Sequence, residues 1–218
     1  PPCQSYSTLG KRQMDDRANL FMQYKRVLQI LNPRAFIFEN VVGILSMGGG
    51  ALFQRIVAEF EELGYTMKYK VLNAVEYGVP QQRERVILVG FKGENYFCYP
   101  NPTHGEGLLP FVTLKDAIGD LPSLESGESK NFYAAPAENS FLQFVRKHGE
   151  TNLTEHSAPK NGEHLIEIMH ALKDGQSKDD LPDDIRPKSG YGNTYAKLWW
   201  NKPSTTITRN FACPSSSR

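Results

Sequence analysis

Apolar residues recur at helical spacing in two segments near the start of the chain. In the first, residues 20–31, one face carries an apolar side chain every three or four positions. Asn32-Pro33 follows directly and predicts the end of this helix, because the residue before a proline avoids helical backbone. The second segment covers residues 52–63, with Gly64 placed to cap it. The pattern therefore predicts two amphipathic helices.

Shorter apolar runs lie between and after these helices. Residues 35–38 and 86–91 are continuous apolar runs of strand length, and residues 65–74 have an extended pattern. The order helix, strand, helix, strand predicts an α/β sheet with covering helices. Functional groups in such sheets gather beyond the carboxyl ends of strands, and Glu39 and Asn40 follow the first run directly.

The pattern changes near residue 100, where prolines and glycines mark a boundary. A short helix is predicted at 113–121, because Thr113 and Asp116 have the spacing of a capping box. Beyond it, residues 123–192 are polar and irregular, with helical patterns at 140–147 and 165–172. This part of the chain is predicted to form a second, loop-rich module.

These boundaries divide the chain into three regions, residues 1–105, 106–200 and 201–218.

Composition narrows the class of protein only modestly. The 218 residues include 25 Lys and Arg against 24 Asp and Glu, so overall charge does not indicate a nucleic-acid binder. The three cysteines are far apart and form neither a disulfide framework nor a zinc motif, so no metal is predicted. Reduced thiols and the lack of a long apolar stretch predict a cytoplasmic protein without a membrane partner.

Cys3 is the first residue with candidate chemistry. It follows two prolines, which places it in a stiff loop. A thiolate is a strong nucleophile, but a free thiol at neutral pH needs a neighbouring base or cation to ionise. A lone cysteine is otherwise most often an inert buried side chain, so Cys3 alone leaves both interpretations open.

Three further features have both a functional and an ordinary interpretation. Glu39, at a strand end, can donate or share a proton, or can be a solvated acid. Arg83 and Arg85 alternate onto one face and need anionic or carbonyl partners, unless they are surface charges on an edge strand. Between residues 197 and 209, basic, hydroxyl and aromatic side chains interleave, as in phosphate-contacting surfaces or in an amphipathic strand that packs its tryptophans.

Together these features resemble the DNA cytosine-C5 methyltransferase family. The sequences Pro-Pro-Cys-Gln-Ser-Tyr-Ser, Glu-Asn-Val and Gln-Gln-Arg-Glu-Arg have the order and spacing of that family's motifs, at residues 1–7, 39–41 and 81–85. Flanking segments are also similar to the family, at residues 73–80, 114–122 and 203–208. The resemblance covers residues 1 to about 122 and about 195 to 218. It implies that residues 1–105 are the catalytic half of the methyltransferase domain and that residues 106–200 contain a connecting helix and the target-recognition region. Residues 201–218 would then return toward the catalytic domain.

The resemblance implies an incomplete Rossmann-like, S-adenosylmethionine-dependent methyltransferase sheet with a loop-rich target-recognition module. It implies that Cys3 adds to C6 of a flipped cytosine and that Glu39 holds the N3 edge of the ring. Arg85 would lie against O2, with Arg83 supporting the loop and the DNA backbone. Methylation of cytosine at C5 in a specific double-stranded sequence is the implied reaction.

Other implied contacts concern the co-substrate and the DNA. Pro2 and Leu20 match positions that touch S-adenosylmethionine. The DNA contacts are assigned to Gln4, Ser7, Asn40, Thr206 and Arg209. The compact recognition region is typical of bacterial restriction-modification enzymes, so double-stranded DNA and a cognate restriction endonuclease are the expected partners.

The chain also departs from the family pattern. The family's glycine-rich cofactor loop precedes the catalytic cysteine, and its closing helix follows the region where this chain stops. We therefore expect a fragment of low activity. The alternatives are a tRNA cytosine-C5 methyltransferase of the same family, a non-catalytic DNA-binding homologue, and a recognition subunit of a split enzyme.

Overall fold

A computed structural model describes residues 19–93, 97–146, 151–188, 194–207 and 213–216. The chain forms two compact units. Unit 1 is made of Pro1–Asn73 and Arg83–Pro102, and unit 2 of Ala74–Gln82 and Thr103–Arg218. The chain therefore leaves unit 1 after its second strand and re-enters it at Arg83.

The described residues of unit 1 form two α-helices and a three-stranded sheet, in the order helix, strand, helix, strand, strand. Strand β3 lies between β1 and β2 and is antiparallel to both, so β1 and β2 run in the same direction without pairing. The elements are α1 (Phe21–Leu31), β1 (Ala35–Asn40), a 3-10 segment (Val42–Gly50), α2 (Ala51–Glu61), β2 (Thr66–Asn73) and β3 (Glu84–Phe91).

The core of unit 1 forms where both helices cover one face of the sheet. Burial alternates along β1, so Phe36, Phe38 and Asn40 point inward while Glu39 points outward. The ring of Phe36 meets those of Phe60 and Tyr65 edge-on, with centroids 5.2 and 4.9 Å apart. This alternation is what leaves the Glu39 carboxyl outside the apolar core.

The predicted elements of unit 1 are confirmed, with shifts of one or two residues at their boundaries. Asn32, after α1, adopts a left-handed conformation with φ of 45°, and Gly64, after α2, has φ of 81°. Strand β1 runs two residues past the predicted apolar run, because Glu39 and Asn40 pair with Ile87 and Val86 of β3. The polar end of the strand is thus fixed by pairing rather than by hydrophobicity.

Unit 2 has short helices connected by loops. The predicted capping box is confirmed: the Asp116 backbone N–H donates to Thr113 Oγ1 at 3.1 Å, and the Thr113 N–H donates to Asp116 Oδ2 at 2.9 Å. A small apolar cluster packs around Ile168, Leu172 and Leu181. The helices are α3 (Leu114–Ile118), α4 (Ser140–Val145) and α5 (Glu163–Ala171), with 3-10 turns at Ala74–Tyr77, Lys178–Asp180 and Pro214–Ser216.

The described residues contain neither a membrane-spanning helix nor a cluster of metal-ligating side chains. None of their helices combines the length and the apolar character needed to cross a bilayer. Nor do they bring three or more His, Cys, Asp or Glu side chains close enough together to hold a metal ion.

Candidate active site

Glu39 and Arg85 form an ion pair across β1 and β3. Arg85 Nε lies 3.0 Å from Glu39 Oε1, in the register that sets Glu39 opposite Ile87. The Glu39 side chain is 53% exposed and that of Arg85 is 20% exposed. Arg85 also donates from Nη1 to the Glu84 carbonyl oxygen at 2.7 Å. A carboxylate and a guanidinium with remaining donors are therefore held together at the end of β1, open to an incoming ligand.

Asn40 ends the same strand but points the other way. Only 1% of it is exposed, and its Oδ1 accepts a hydrogen bond from the Val41 backbone N–H at 2.9 Å. This short side-chain-to-backbone bond shapes the turn out of β1, immediately after Glu39. The described role of Asn40 is thus to hold the backbone, and its predicted contact with DNA stays a prediction.

Arg83 lies just before β3, which begins at Glu84. Its backbone N–H donates to Asn73 Oδ1 at 2.9 Å, so the last residue of β2 anchors the entry to β3. The alternation expected for Arg83 and Arg85 applies only within a strand, and Arg83 stands outside it. Arg85 is the one of the two that has a described ion pair with Glu39.

Tyr99 reinforces the sheet near this pair. Its hydroxyl lies 2.7 Å from the carbonyl oxygen of Ile87 and 3.0 Å from that of Lys68, and can donate to either. Burial raises the pKa of Tyr99, so the hydroxyl keeps its proton at neutral pH. Because Ile87 is the partner of Glu39, this donor supports the register that carries the ion pair.

Thr206 belongs to unit 2. There, residues 204–206 form hydrogen bonds with residues 80–82. The Gln82 N–H donates to the Ser204 carbonyl at 2.8 Å, and the Ser204 N–H donates to the Pro80 carbonyl at 2.9 Å. Thr206 Oγ1 donates to the Gln82 carbonyl at 2.8 Å. These three bonds fix residues 204–206 against residues 80–82.

The remaining predicted residues divide by position. Leu20 directly precedes α1 and is 36% exposed, so its side chain is open to a ligand. Five others lie outside the described residues: Pro2, Cys3, Gln4, Ser7 and Arg209.

Sequence reasoning missed two supports of this region. Asn73, which holds Arg83, lies in the family-like segment at residues 73–80 but received no role. Ser204, buried and bonded to Pro80 and Gln82, lies in the family-like segment at residues 203–208 and also received none. The polar stretch Pro-Ser-Thr-Thr at residues 203–206 has no hydrophobic pattern that marks Ser204 as buried.

Comparison with known proteins places these motifs in a family. The model of the C-5 cytosine-specific DNA methylase family matches residues 1–209. The type II methyltransferase M1.HphI of Haemophilus parahaemolyticus is 34% identical, over 95% of this chain and 50% of that protein. M.DdeI of Desulfomicrobium norvegicum, another type II methyltransferase, is 35% identical, over 97% of this chain and 55% of that protein.

A solved structure supports the fold. An E. coli prophage-encoded protein, described as a DNA modification methyltransferase, superposes with a TM-score of 0.67 at 18% identity, over 88% of this chain and 58% of that protein. The likeness confirms the predicted α/β class as a partial Rossmann-like methyltransferase fold, here with a small open antiparallel sheet.

The chain spans about half the length of the curated relatives M1.HphI and M.DdeI. The family model nevertheless covers almost every residue, and it includes the segments that carry Cys3, Glu39 and Arg85. The chain therefore belongs to the C-5 cytosine-specific DNA methylase family.

Proposed function

We propose that this chain is part of an enzyme that transfers a methyl group from S-adenosylmethionine to C5 of cytosine in a specific double-stranded DNA sequence. The observation that carries the proposal is the Glu39–Arg85 ion pair at the end of β1, in a chain that the family model matches over residues 1–209. A carboxyl group and a guanidinium group at one open site suit the N3 edge and the O2 atom of a cytosine ring.

Cys3 supplies the nucleophile in this proposal. C5 of cytosine is a poor nucleophile while the ring is aromatic. When the Cys3 sulfur forms a bond to C6, the C5–C6 double bond breaks. The electron pair of that double bond then makes C5 an enamine-like, nucleophilic carbon. Transfer of the methyl group to C5 would release S-adenosylhomocysteine. Water then takes the C5 proton, the electron pair of that C–H bond re-forms the C5–C6 double bond, and the bond from C6 to the Cys3 sulfur breaks to release the thiolate.

Glu39 and Arg85 stabilise the negative charge that develops on the cytosine ring during the addition. A proton shared between the Glu39 carboxyl and N3 neutralises negative charge on the ring. Arg85 donates to O2, which carries part of the same charge. The pair is already assembled across β1 and β3, so these donors are oriented before the base arrives.

The base must leave the duplex to reach this site, which costs a few kcal/mol of stacking and pairing. Contacts to the surrounding DNA offset this cost, and we assign them to Gln4, Ser7, Thr206 and Arg209. Asn40 contributes by holding the turn after Glu39, since its side chain is buried. The bond from the Arg83 backbone N–H to Asn73 holds the entry to β3, the strand that carries Arg85.

S-adenosylmethionine supplies an electrophilic methyl group when it is bound. Pro2 and Leu20 are the residues of this chain assigned to it. The exposed apolar side chain of Leu20, just before α1, fits a contact with an apolar part of this co-substrate. Because the relatives M1.HphI and M.DdeI are type II methyltransferases, we also propose a cognate restriction endonuclease as the partner in the same system.

The test expresses the full-length gene product in a bacterial host without cytosine methylation and maps 5-methylcytosine across the genome by bisulfite sequencing. We expect methylation at one short sequence motif. A Cys3→Ala version is expected to abolish it. Cys98→Ala is the matched control, because Cys98 is an exposed free cysteine in unit 1 and is expected to leave methylation intact.

Absence of genomic methylation from a soluble, well-expressed protein would overturn the DNA reaction. Transfer RNA from the same cells would then be analysed for 5-methylcytosine, which is the product of the alternative branch of the family. Methylation that persists in the Cys3→Ala protein would instead overturn the assigned nucleophile.

A further inference from the structure

An open cleft of about 480 Å³ lies within unit 2, on the segment just before Thr206. Residues from three separate stretches line it, including Gln82, Phe111, Trp199, Asn201, Lys202 and Pro203. Its volume is that of a small-ligand site, and its lining combines aromatic rings with one cation and side-chain amides. None of the functional assignments above uses this cleft.

Trp199 packs against backbone on one side of this cleft although it is 51% exposed. Its ring lies against the backbone of Gly175, where an added Cβ would come within 2.0 Å of Trp199 Cε2. Gly175 also has φ of 78°, so a side chain is disfavoured there on two grounds. Its N–H donates to the Lys197 carbonyl at 2.8 Å, which fixes the segment that carries the tryptophan. The indole is therefore positioned in advance and still open to solvent.

Lys202 supplies the charge next to this ring. Its Nζ lies 4.3 Å from the centroid of Trp199, a cation–π contact. At an exposed position such a contact is weak, so an anion can draw the ammonium away from the ring. This movement would expose the face of the Trp199 ring next to the Lys202 ammonium, which would then contact the anion.

A nucleotide offers both matching groups, a planar base and an anionic phosphate. Base stacking on aromatic side chains tolerates any sequence, and lysine contacts phosphate as a point charge. The cleft also belongs to the same stretch of chain as Thr206, which is assigned to DNA on other grounds. Charge complementarity thus favours nucleic acid over an uncharged peptide as its occupant.

We propose that this cleft binds one nucleotide of the DNA substrate, with Trp199 stacking on the base or sugar and Lys202 contacting the phosphate. The inference rests on the proposed function, since it names a substrate contact of the same enzyme. In the free protein Lys202 covers the ring. In the complex the ammonium moves to the phosphate and the nucleotide takes its place on the indole.

The test measures binding of the full-length gene product to a labelled duplex DNA by fluorescence anisotropy at several salt concentrations. Lys202→Gln is expected to lower the slope of log affinity against log salt by about 1, as one phosphate contact is lost. Trp199→Leu is expected to weaken binding by about 5- to 150-fold, the range for one lost stack. Trp199→Phe should retain part of the affinity, which a purely structural role at Gly175 would not predict.

Two readouts separate a local contact from general effects. Arg26→Gln removes an exposed cation of α1 that does not line the cleft, and should leave the salt slope unchanged. The difference in emission between wild type and Trp199→Phe isolates the signal of Trp199, and this signal should be quenched on addition of DNA. Matching thermal unfolding midpoints would establish that the variants fold.

Failure of the inference is distinguishable from failure of the proposed function, because binding is measured without methyl transfer. If the wild type methylates DNA while Trp199→Leu and Lys202→Gln bind like the wild type, the cleft proposal is overturned and the function stands. If genomic methylation is absent, the anisotropy titration still decides the cleft. If both variants bind DNA with wild-type affinity and DNA does not change the Trp199 emission, the nucleotide proposal is overturned. A protein segment would then be the occupant to test.

Discussion

The Glu39 carboxylate and the Arg85 guanidinium meet 3.0 Å apart because β3 runs antiparallel to β1 and places Ile87 opposite Glu39. The Glu39 side chain is 53% exposed, so solvent screens the pair and it is not a major source of stability. We therefore expect the pair to affect the proposed methyl transfer more than the stability of the fold. Variants of the two residues should accordingly separate activity from stability.

We expect Glu39→Gln in the full-length gene product to lower the rate of methyl transfer by about 10²- to 10⁴-fold, the range for loss of a positioned acid–base group. Arg85→Lys should lower it by about 10²- to 10³-fold, because lysine lacks the planar fork that serves Glu39 and a ring oxygen together. Incorporation of a labelled methyl group under single-turnover conditions measures both rates.

Glu84→Gln is the control for this pair, since Glu84 is an exposed acid next to Arg85 on the same strand. It should methylate at the wild-type rate. Wild-type methyl transfer by Glu39→Gln would contradict the assignment of Glu39 to the cytosine ring.

The sequence predicted those elements whose causes are local. Thr113 and Asp116 are three positions apart and form a capping box whatever the rest of the chain does. Asn32-Pro33 ends α1 for an equally local reason. The motifs at residues 1–7, 39–41 and 81–85 indicated the family correctly, because their chemistry is tied to residue type and spacing.

Long-range pairing could not be read in the same way. The antiparallel insertion of β3 between β1 and β2 brings Arg85 to Glu39 across an intervening helix and strand, and no periodicity encodes that choice. The bond from Arg83 to Asn73 and the one from Thr206 to Gln82 depend on similarly distant pairings. The candidate functional residues could therefore be predicted from the sequence, whereas the residues that they contact could not.

Gly90 is expected to be intolerant of even one added methyl group. It lies opposite Phe36 on β1 and Met67 on β2, and an added Cβ would come within 2.3 Å of Phe36 Cε1. Gly90→Ala should therefore lower the free energy of unfolding by about 1–3 kcal/mol, as overpacking does in well-packed cores. Urea unfolding followed by far-ultraviolet circular dichroism measures the change.

A double variant identifies the cause. If the clash with Phe36 is responsible, Gly90→Ala combined with Phe36→Leu should cost less than the sum of the two single changes. Strict additivity would show that the two positions do not interact and that the assigned contact is wrong.

Asp120 and Arg146 form a largely buried ion pair in unit 2. Arg146 Nη1 lies 3.0 Å from Asp120 Oδ2, only 2% of the Asp120 side chain is exposed, and the guanidinium stacks over the Tyr133 ring at 3.6 Å. Asp120→Ala leaves a buried cation without its carboxylate. The cost should lie below the roughly 3–5 kcal/mol of a fully buried pair, because Arg146 retains some exposure.

Tryptophan emission of the 218-residue chain reports this loss, because Trp199 and Trp200 both belong to unit 2. Asp120→Ala should lower the urea midpoint clearly. Asp183→Asn, in an exposed pair with Arg186, should barely move it. Equal midpoints for the two variants would contradict a structural role for Asp120.

Lys25 on α1 forms ion pairs with Glu59 of α2 and with Glu62, which directly follows α2. The Lys25 Nζ atom lies 2.8 Å from Glu62 Oε2, so the lysine links the two helices of the described part of unit 1. The hydrogen bond from Lys25 holds the pKa of Glu59 below its ordinary value of 4.5, and the two acids raise the pKa of Lys25. Stability from a lowered carboxyl pKa is present above the unfolded-state value and is lost as pH falls through the folded value. Stability from a raised lysine pKa is lost only as pH rises through that folded value.

Lys25→Met should therefore destabilise the chain at neutral pH, and its difference from wild type should shrink in acid, once Glu59 becomes protonated in the folded state. Urea midpoints of both proteins, measured from about pH 2 to pH 7, follow this convergence. Lys70→Met, which removes an exposed lysine from β2, should differ from wild type by an amount that changes little over the same range. A difference for Lys25→Met that stays constant with pH would mean that packing of the lysine stem, rather than its charge, joins α1 to Glu59.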